Sequence, residues 1–308
     1  MAFLNALPGA IAEGLIWGLM AIGVYISYKV LDIADLTVDG SICTGACVCA
    51  MLIAGGCPVL LAVVLAFLAG VVTGVVTGLL HTIFGIPSIL AGILTQLMLY
   101  SINLTILGGK SLATVDPRTA KLLVTMSNNI KSIVVMVAVA TIVIVCLWLF
   151  FYTEIGLTLK STGDNPDMSR AQGINVKRNK VVGLAISNGI VALAGAMLAQ
   201  YKGSANINDG RGAIVIGLAA IFIGLSVSLK IKPNFVVSLI GVISGGIIYY
   251  IVYNFVILLG LKTDFLKMLS AIIVAIFLAV PYMKSTYFKS KKIVPPIIQN
   301  QNGGIDNA

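Results

Sequence analysis

A chain of 308 residues that is 59% hydrophobic and only 10% charged, with a mean hydropathy of +1.06, cannot coat a water-facing surface, since soluble domains carry about 25% charged residues. Its apolar runs exceed the ~18–20 residues that a helix needs to cross the hydrocarbon core, and they lack the in/out alternation of a membrane barrel, so an all-α polytopic bundle of about 8–10 transmembrane spans is expected. The net charge of +9 resides in short loops and the tail, where Lys and Arg orient helices and meet anionic lipid head groups; membrane lipid is the expected partner and nucleic acid is set aside.

In chain order, the N-terminus has no basic n-region and no small-residue cleavage site, so no cleaved signal is expected. The first apolar run, residues 10–28, carries Gly14 and Gly18 at the spacing of closely packed membrane helices. Glu13 stands near its start, either reaching the interface or serving a function inside the span. A polar turn over 29–39 holds Asp32, Asp35 and Asp39 and leads into a run over 40–57. Asp39-Gly40-Ser41 places cap-type residues ahead of a small-residue helix, the pattern of a tightly packed, discontinuous helix N-terminus. Cys43, Cys47, Cys49, Cys57 and Cys146 all lie in or beside apolar runs, and His81 is the only histidine; packing is expected of them rather than zinc binding, and no metal site is assigned.

Pro58 opens a run to residue 84 in which Gly70, Gly74 and Gly78 recur every fourth residue beside Thr73 and Thr77. That face has almost no bulk and predicts a helix partner. After Gly85-Ile86-Pro87-Ser88, a run to 107 carries Thr95, Gln96, Ser101 and Asn103. Uncharged polar groups in a span need partners, and these either line a pathway or bond between helices. Gly108-Gly109-Lys110-Ser111 has the ending of a phosphate-binding loop, but Leu104 occupies the place of its first glycine and a membrane span precedes it, so nucleotide binding is excluded.

Residues 110–131 read as a polar connection and 132–152 as a further span. A polar island then covers 154–180, and apolar runs follow at 181–200, 212–229, 235–260 and 265–283. Residues 1–283 form one transmembrane domain in this reading, with a coupling loop at 153–180, and 284–308 form a basic, disordered cytoplasmic tail. Placing island and tail inside makes the four spans between them alternate correctly and puts the N-terminus outside. Asp209-Gly210-Arg211 also precedes a small-residue helix, as Asp39-Gly40-Ser41 does. The two are either the marks of repeated halves whose broken helices meet at a binding site or two ordinary Asp-Gly turns. Asp39, Gly40, Gln96, Asn103, Asp209, Gly210 and Gly212 are the candidate pathway residues.

Within the island, Pro166 to Gln172 reads as a short helix of about seven residues, ~10 Å long. Asn165 is its N-cap, Pro166 suits the first position, Asp167 complements the positive end and Arg170 the negative end, and Gly173 can take the left-handed conformation that stops it. On physical grounds this is either a solvated loop or an element that packs on something else, since so short a helix is marginal alone.

Thr153-Glu154-Ile155-Gly156, Lys160-Ser161-Thr162-Gly163-Asp164-Asn165-Pro166 and Ala171-Gln172-Gly173-Ile174-Asn175 resemble the cytoplasmic signature of ABC-importer permeases of the branched-chain amino acid and ribose type. Asn208-Asp209-Gly210-Arg211-Gly212 with Ile216-Gly217-Leu218-Ala219-Ala220 looks like the Gly-rich start of the next helix and most resembles the bacterial tryptophan/tyrosine or related permease subgroup. That subgroup often carries an acid where this chain has Leu225, so no role is transferred to that position. The resemblance implies a type II-like permease in the bacterial inner membrane, working as a homodimer or heterodimer with an extracytoplasmic binding protein and a cytoplasmic ATPase subunit. ATP and Mg would bind the ATPase, and this chain would hold no cofactor and perform no chemistry. It further implies that Glu154, Gly156, Lys160, Gly163, Asp164, Asn165, Pro166, Met168, Arg170, Gln172 and Gly173 form the ATPase-coupling loop. An amino acid is the expected cargo, with a sugar or nucleoside as the alternative. An ion-driven secondary transporter would need intramembrane acids, of which Glu13 is the clear candidate, and an intramembrane enzyme would rest on the Asp32, Asp35, Asp39 trio.

Overall fold

The computed structural model describes residues 2–115, 122–228 and 234–258, with isolated positions beyond. The elements are α1 (Ala2–Tyr25), continued by a π-helical turn (Ile26–Val30), then α2 (Val38–Ala54), α3 (Val59–Thr82), α4 (Ser88–Ile106), β1 (Leu112–Thr114), α5 (Asn129–Tyr152), α6 (Glu154–Asp164), α7 (Pro166–Ala171), α8 (Val176–Lys202), β2 (Ser204–Asn206), α9 (Ala213–Ser228) and α10 (Phe235–Leu258). Long helices are what the apolar runs dictate, because a backbone in hydrocarbon must satisfy its own polar groups. Pro58 and Pro87 stand at the N-caps of α3 and α4, where a missing N–H costs nothing. Six of the described helices are long and apolar enough to span a membrane, while α2 and α9 are shorter.

The layers differ in burial. In α1 with its π turn, 83% of the apolar window is buried and in α8 78%, against 17% in α5; α1 and α8 are the central pair and α5 is peripheral. Close approach sets the packing. A Cβ on Gly14 would lie 2.7 Å from Cα of Ile247 and one on Gly18 3.1 Å from Cα of Ile243, so α1 and α10 touch backbone to backbone. The glycine face of α3 does the same on α8, Gly70 against Asn188 and Ala192, Gly74 against Leu184, and Gly78 at 2.8 Å from Cα of Val181.

Contacts along the helices give their directions. α1 runs antiparallel to α8, with Gly9 near the Tyr201 hydroxyl and Gly23 near Ser187. α2 runs parallel to α8, Ser41 pairing with Asn188, Gly45 with Ala192 and Cys49 with Gln200. α9 runs parallel to α1, Gly217 lying by Met20 and Val24 and the Phe222 ring meeting Tyr28 edge-on. Hence α2 and α9 start from a shared level beside the middle of α8 and run in opposite directions, α9 toward the end that carries α6 and α7. Each is reached by an irregular segment, 31–37 and 207–212.

The polar connection after α4 contributes one feature that an all-helical reading lacks. β1 and β2 pair antiparallel, Leu112 opposite Asn206 and Thr114 opposite Ser204, as a two-stranded ribbon at the end away from α6 and α7. The segment expected at 265–283 and the tail 284–308 lie outside the continuously described residues.

Candidate functional site

The two half-helices meet around Asp39. The N-terminus of helix α9 is capped from another helix: Asp39 of α2 accepts hydrogen bonds from the Gly212 and Ile214 N–H groups, both at 2.9 Å. A carboxylate suits both the orphan donors and the positive end of the helix dipole. Gly210 passes beneath, its N–H 3.1 Å from the Cys43 thiol, and any side chain there would strike the Asp39 carbonyl. Gly212 takes a φ of +86°, which favours glycine, and turns the chain into α9.

Beside this junction lies a cavity of about 390 Å³. α2 contributes Asp39, Gly40 and Cys43 to its wall, α4 contributes Gln96, Leu97, Tyr100 and Asn103, and the segment before α9 contributes Ile207 and Arg211. Four of the seven pathway candidates, Asp39, Gly40, Gln96 and Asn103, are therefore brought together. Asn103 is 1% exposed and its Oδ1 has no hydrogen-bond partner among the described residues. Asp209 and Gly212 instead line a second cavity of about 380 Å³ with Trp17, Tyr249, Tyr250 and Tyr253, and Asp209 pairs with Lys202 at 3.3 Å. Gly210 lies between the two as packing. Arg211 lines both cavities, which sequence reasoning missed because an exposed-looking Arg in a Gly-rich turn has no periodic signal.

A buried polar layer supports the junction. Asp35 is 2% exposed; its carboxylate accepts from the Thr37 N–H at 2.9 Å and from Asn188 Nδ2 at 2.7 Å. Asn188 Oδ1 accepts from the Ser41 hydroxyl at 2.6 Å. Ser41 also meets Thr73 at 2.8 Å, and Thr77 meets both Thr37 at 2.8 Å and Thr95 at 3.0 Å. Thr95 is thus an interhelical bond rather than a pathway group. Asn188, inside a span at Ser187-Asn188, was the signal for this layer. The acid trio is split: Asp32 lies at a positive φ of 54° in the turn, Asp35 in the layer and Asp39 on α2.

At the other end the polar island is not one loop around a single helix. Its first part forms α6, started by Thr153, whose hydroxyl accepts from the Gly156 N–H at 3.3 Å. Polar composition hid it, although Gly156, Leu159 and Thr162 fall on one face at helical spacing and are buried. Gly156 packs on the Phe150 and Phe151 backbone and Gly163 on the Val30 carbonyl, both too close for a side chain. Asn179 Nδ2 donates to Thr162 at 3.0 Å, tying α6 to α8.

α7 has the expected chemistry. Asn165 Oδ1 accepts from the Asp167 and Met168 N–H groups at 3.1 and 3.0 Å, Pro166 is the first residue, and Gly173 has a φ of +81°. The helix ends at Ala171 with Gln172 as its C-cap. One buried residue, Ser169, anchors it to Ser161 of α6 at 2.8 Å. Glu154, Lys160, Asp164, Asn165, Pro166, Met168, Arg170, Gln172 and Gly173 are all exposed, and Arg170 pairs with Asp167 in solvent at 3.2 Å. α7 is a capped element displayed at the end of the molecule.

Residues 8–281 match the family described as the branched-chain amino acid transport system permease component. The chain is 36% identical over 299 residues to a tyrosine transport system permease protein of Clostridioides difficile, covering 97% of this chain and 99% of that one. It is 31% identical to an uncharacterized protein of Rickettsia prowazekii over 90% of this chain and 98% of that one. A 32% identity to a xylose transport system permease protein of Haemophilus influenzae covers 28% of this chain and 23% of that one. No solved structure matches. The chain therefore belongs to the branched-chain amino acid/ribose-type ABC permease family: it is a multi-pass membrane transport protein and not an enzyme. Such permeases work with a separate ATPase and a substrate-binding protein. Leu225 is partly buried and packs against the core.

Proposed function

We propose that this chain is the membrane-spanning subunit of an ATP-driven importer that moves an amino acid across the bacterial cytoplasmic membrane. The observation that carries the reading is α7: a rigid, capped helix with an exposed face, joined through α6 to the last turn of the first span at Gly163 and Val30. A capped helix transmits displacement where a loop would yield. The ATPase subunit, which holds ATP and Mg, docks on Met168, Arg170 and Gln172. Its closure moves α6 against the α1 end and rocks the bundle between outward-open and inward-open states, with a second permease chain completing the dimer. Residues 1–283 act as one transmembrane domain, and the α6–α7 end is cytoplasmic, in keeping with Lys160, Arg170, Lys177, Arg178 and Lys180 there.

An amino acid cargo is supported by the tyrosine transport relative that matches along nearly the whole chain. Solute crosses beside the junction of α2 and α9, where Asp39, Gly40, Gln96 and Asn103 gather. The test is uptake into vesicles containing the assembled complex. ATP alone, with ion gradients collapsed, should drive accumulation of an amino acid supplied with its binding protein. Uptake that needs a proton or Na⁺ gradient and ignores ATP would sink the reading, and accumulation of a sugar or nucleoside in place of any amino acid would sink the choice of cargo.

A further inference from the structure

The cavity at the half-helix junction has features that packing does not explain. Asn103 is 1% exposed, yet its Oδ1 is unpaired in the described structure. A buried amide oxygen in that state is costly unless something donates to it. From a different segment Arg211 brings a guanidinium that makes no ion pair among the described residues. Between them the wall is mixed, with Gln96 polar and Leu97, Tyr100 and Ile207 apolar. Asp39 is already held by two N–H groups of α9, so its carboxylate serves the fold as well as facing the cavity. At about 390 Å³ the space falls within the range of small-molecule sites.

We propose that this cavity is a selective binding site within the permease for a zwitterionic α-amino acid with a large apolar or aromatic side chain. Arg211 takes the carboxylate, which its planar fork fits in two parallel bonds. The ammonium supplies the missing donor to Asn103 Oδ1. Leu97, Tyr100 and Ile207 take the side chain. The inference rests on the amino-acid reading above and adds to it that selection occurs in the membrane subunit itself, as well as in any binding protein. Each half of the zwitterion is read by a different residue, so an analogue lacking one half should be rejected by one residue only.

The experiment is equilibrium binding to the purified full-length permease in lipid nanodiscs, without ATPase or binding protein. The probes are L-tyrosine, tyramine, which lacks the carboxylate, and 3-(4-hydroxyphenyl)propionate, which lacks the amine. L-Tyrosine should bind at least tenfold more tightly than either analogue. Asn103→Leu should weaken L-tyrosine and tyramine at least tenfold and leave the propionate unchanged. Arg211→Gln should weaken L-tyrosine and the propionate and leave tyramine unchanged. Because Asn103→Leu removes an unpaired buried acceptor, its melting temperature should equal or exceed that of the parent, which separates loss of binding from loss of fold. Absence of binding to the parent, or equal weakening of all three probes by both variants, would overturn the proposal. The same preparations assembled into the complex report on the broader reading independently: ATP-driven tyrosine uptake that persists without binding to the isolated permease rejects this cavity alone.

Discussion

Asp39 and Gly212 lie 173 positions apart in the chain and 2.9 Å apart in the fold, the carboxylate of one half-helix closing the N-terminus of the other. The two helices are thereby joined at their origins while their bodies diverge. This charged cap is reinforced by the Cys43 thiol, which bonds the Gly210 N–H and the Ile207 carbonyl in the segment that leads into α9.

Asp39→Ala removes the acceptor for two backbone donors and should destabilise the protein by about 1.5–3 kcal/mol, the range for hydrogen bonds to a charged group. Asp39→Asn keeps one acceptor and should cost less. Thermal unfolding of the two variants in the same detergent checks the order; equal stability for Ala and parent would show that the cap carries no energy.

Asn188→Leu leaves the Asp35 carboxylate buried without its 2.7 Å donor. Losing one partner of a buried charged group is expected to cost about 3–5 kcal/mol when the group stays ionised. Asp35→Asn removes the charge as well and should be milder. If the double variant Asp35→Asn, Asn188→Leu is no worse than Asn188→Leu alone, the buried charge is the cause; additive losses would mean that the two sites act separately.

Met168→Glu and Arg170→Glu alter the exposed face of α7 without touching a buried contact. Both should fold as the parent and lose ATP-coupled uptake more than tenfold. Asn165→Ala should weaken the helix by about 1 kcal/mol and produce a smaller transport loss. Asp167→Ala removes an exposed i,i+3 pair of little energetic weight and should leave uptake within about twofold, so a general sensitivity of the surface would be recognised by its failing this control.

Gly163→Ala drives a methyl group into the Val30 carbonyl. The overpacking should cost about 1–3 kcal/mol and lower the yield of folded protein. Gly173→Ala meets no neighbour and is strained only by its φ of +81°, so it should be tolerated better. Detergent-resistant monodispersity of the two variants gives the comparison.

Much of this architecture was legible locally. Apolar run length located the long helices, the spacing of Gly70, Gly74 and Gly78 announced a helix partner without saying that it is α8, and Asn165, Pro166 and Gly173 bounded α7. Each of those signals lies within a few residues of the structure it specifies. What was hidden depends on distant partners. Asp35 looked equivalent to Asp32 and Asp39 until Asn188 approached it from 153 positions away. Asp39 looked like the cap of its own helix and caps another instead. α6 was obscured for the opposite reason, since its buried face of Gly156, Leu159 and Thr162 is set in a short stretch that is polar on average. The Asp39 and Asp209 segments lie at one junction, where Asp39 takes the α9 amides and Asp209 takes Lys202 and the Asn206 N–H.

The hydroxyls of Thr37, Thr77 and Thr95 form a short chain from the turn before α2 across α3 to α4, and Thr77 also bonds the Thr73 carbonyl while Thr95 bonds that of Ala91. A hydroxyl carries one proton and can rotate it between acceptors. If neighbouring helices shift by a fraction of a turn, the Thr77 and Thr95 protons have a carbonyl of their own helix to fall back on. The layer has the make-up of a lubricated bearing, since it ties α3, α4 and the start of α2 together through bonds that can be exchanged rather than simply broken.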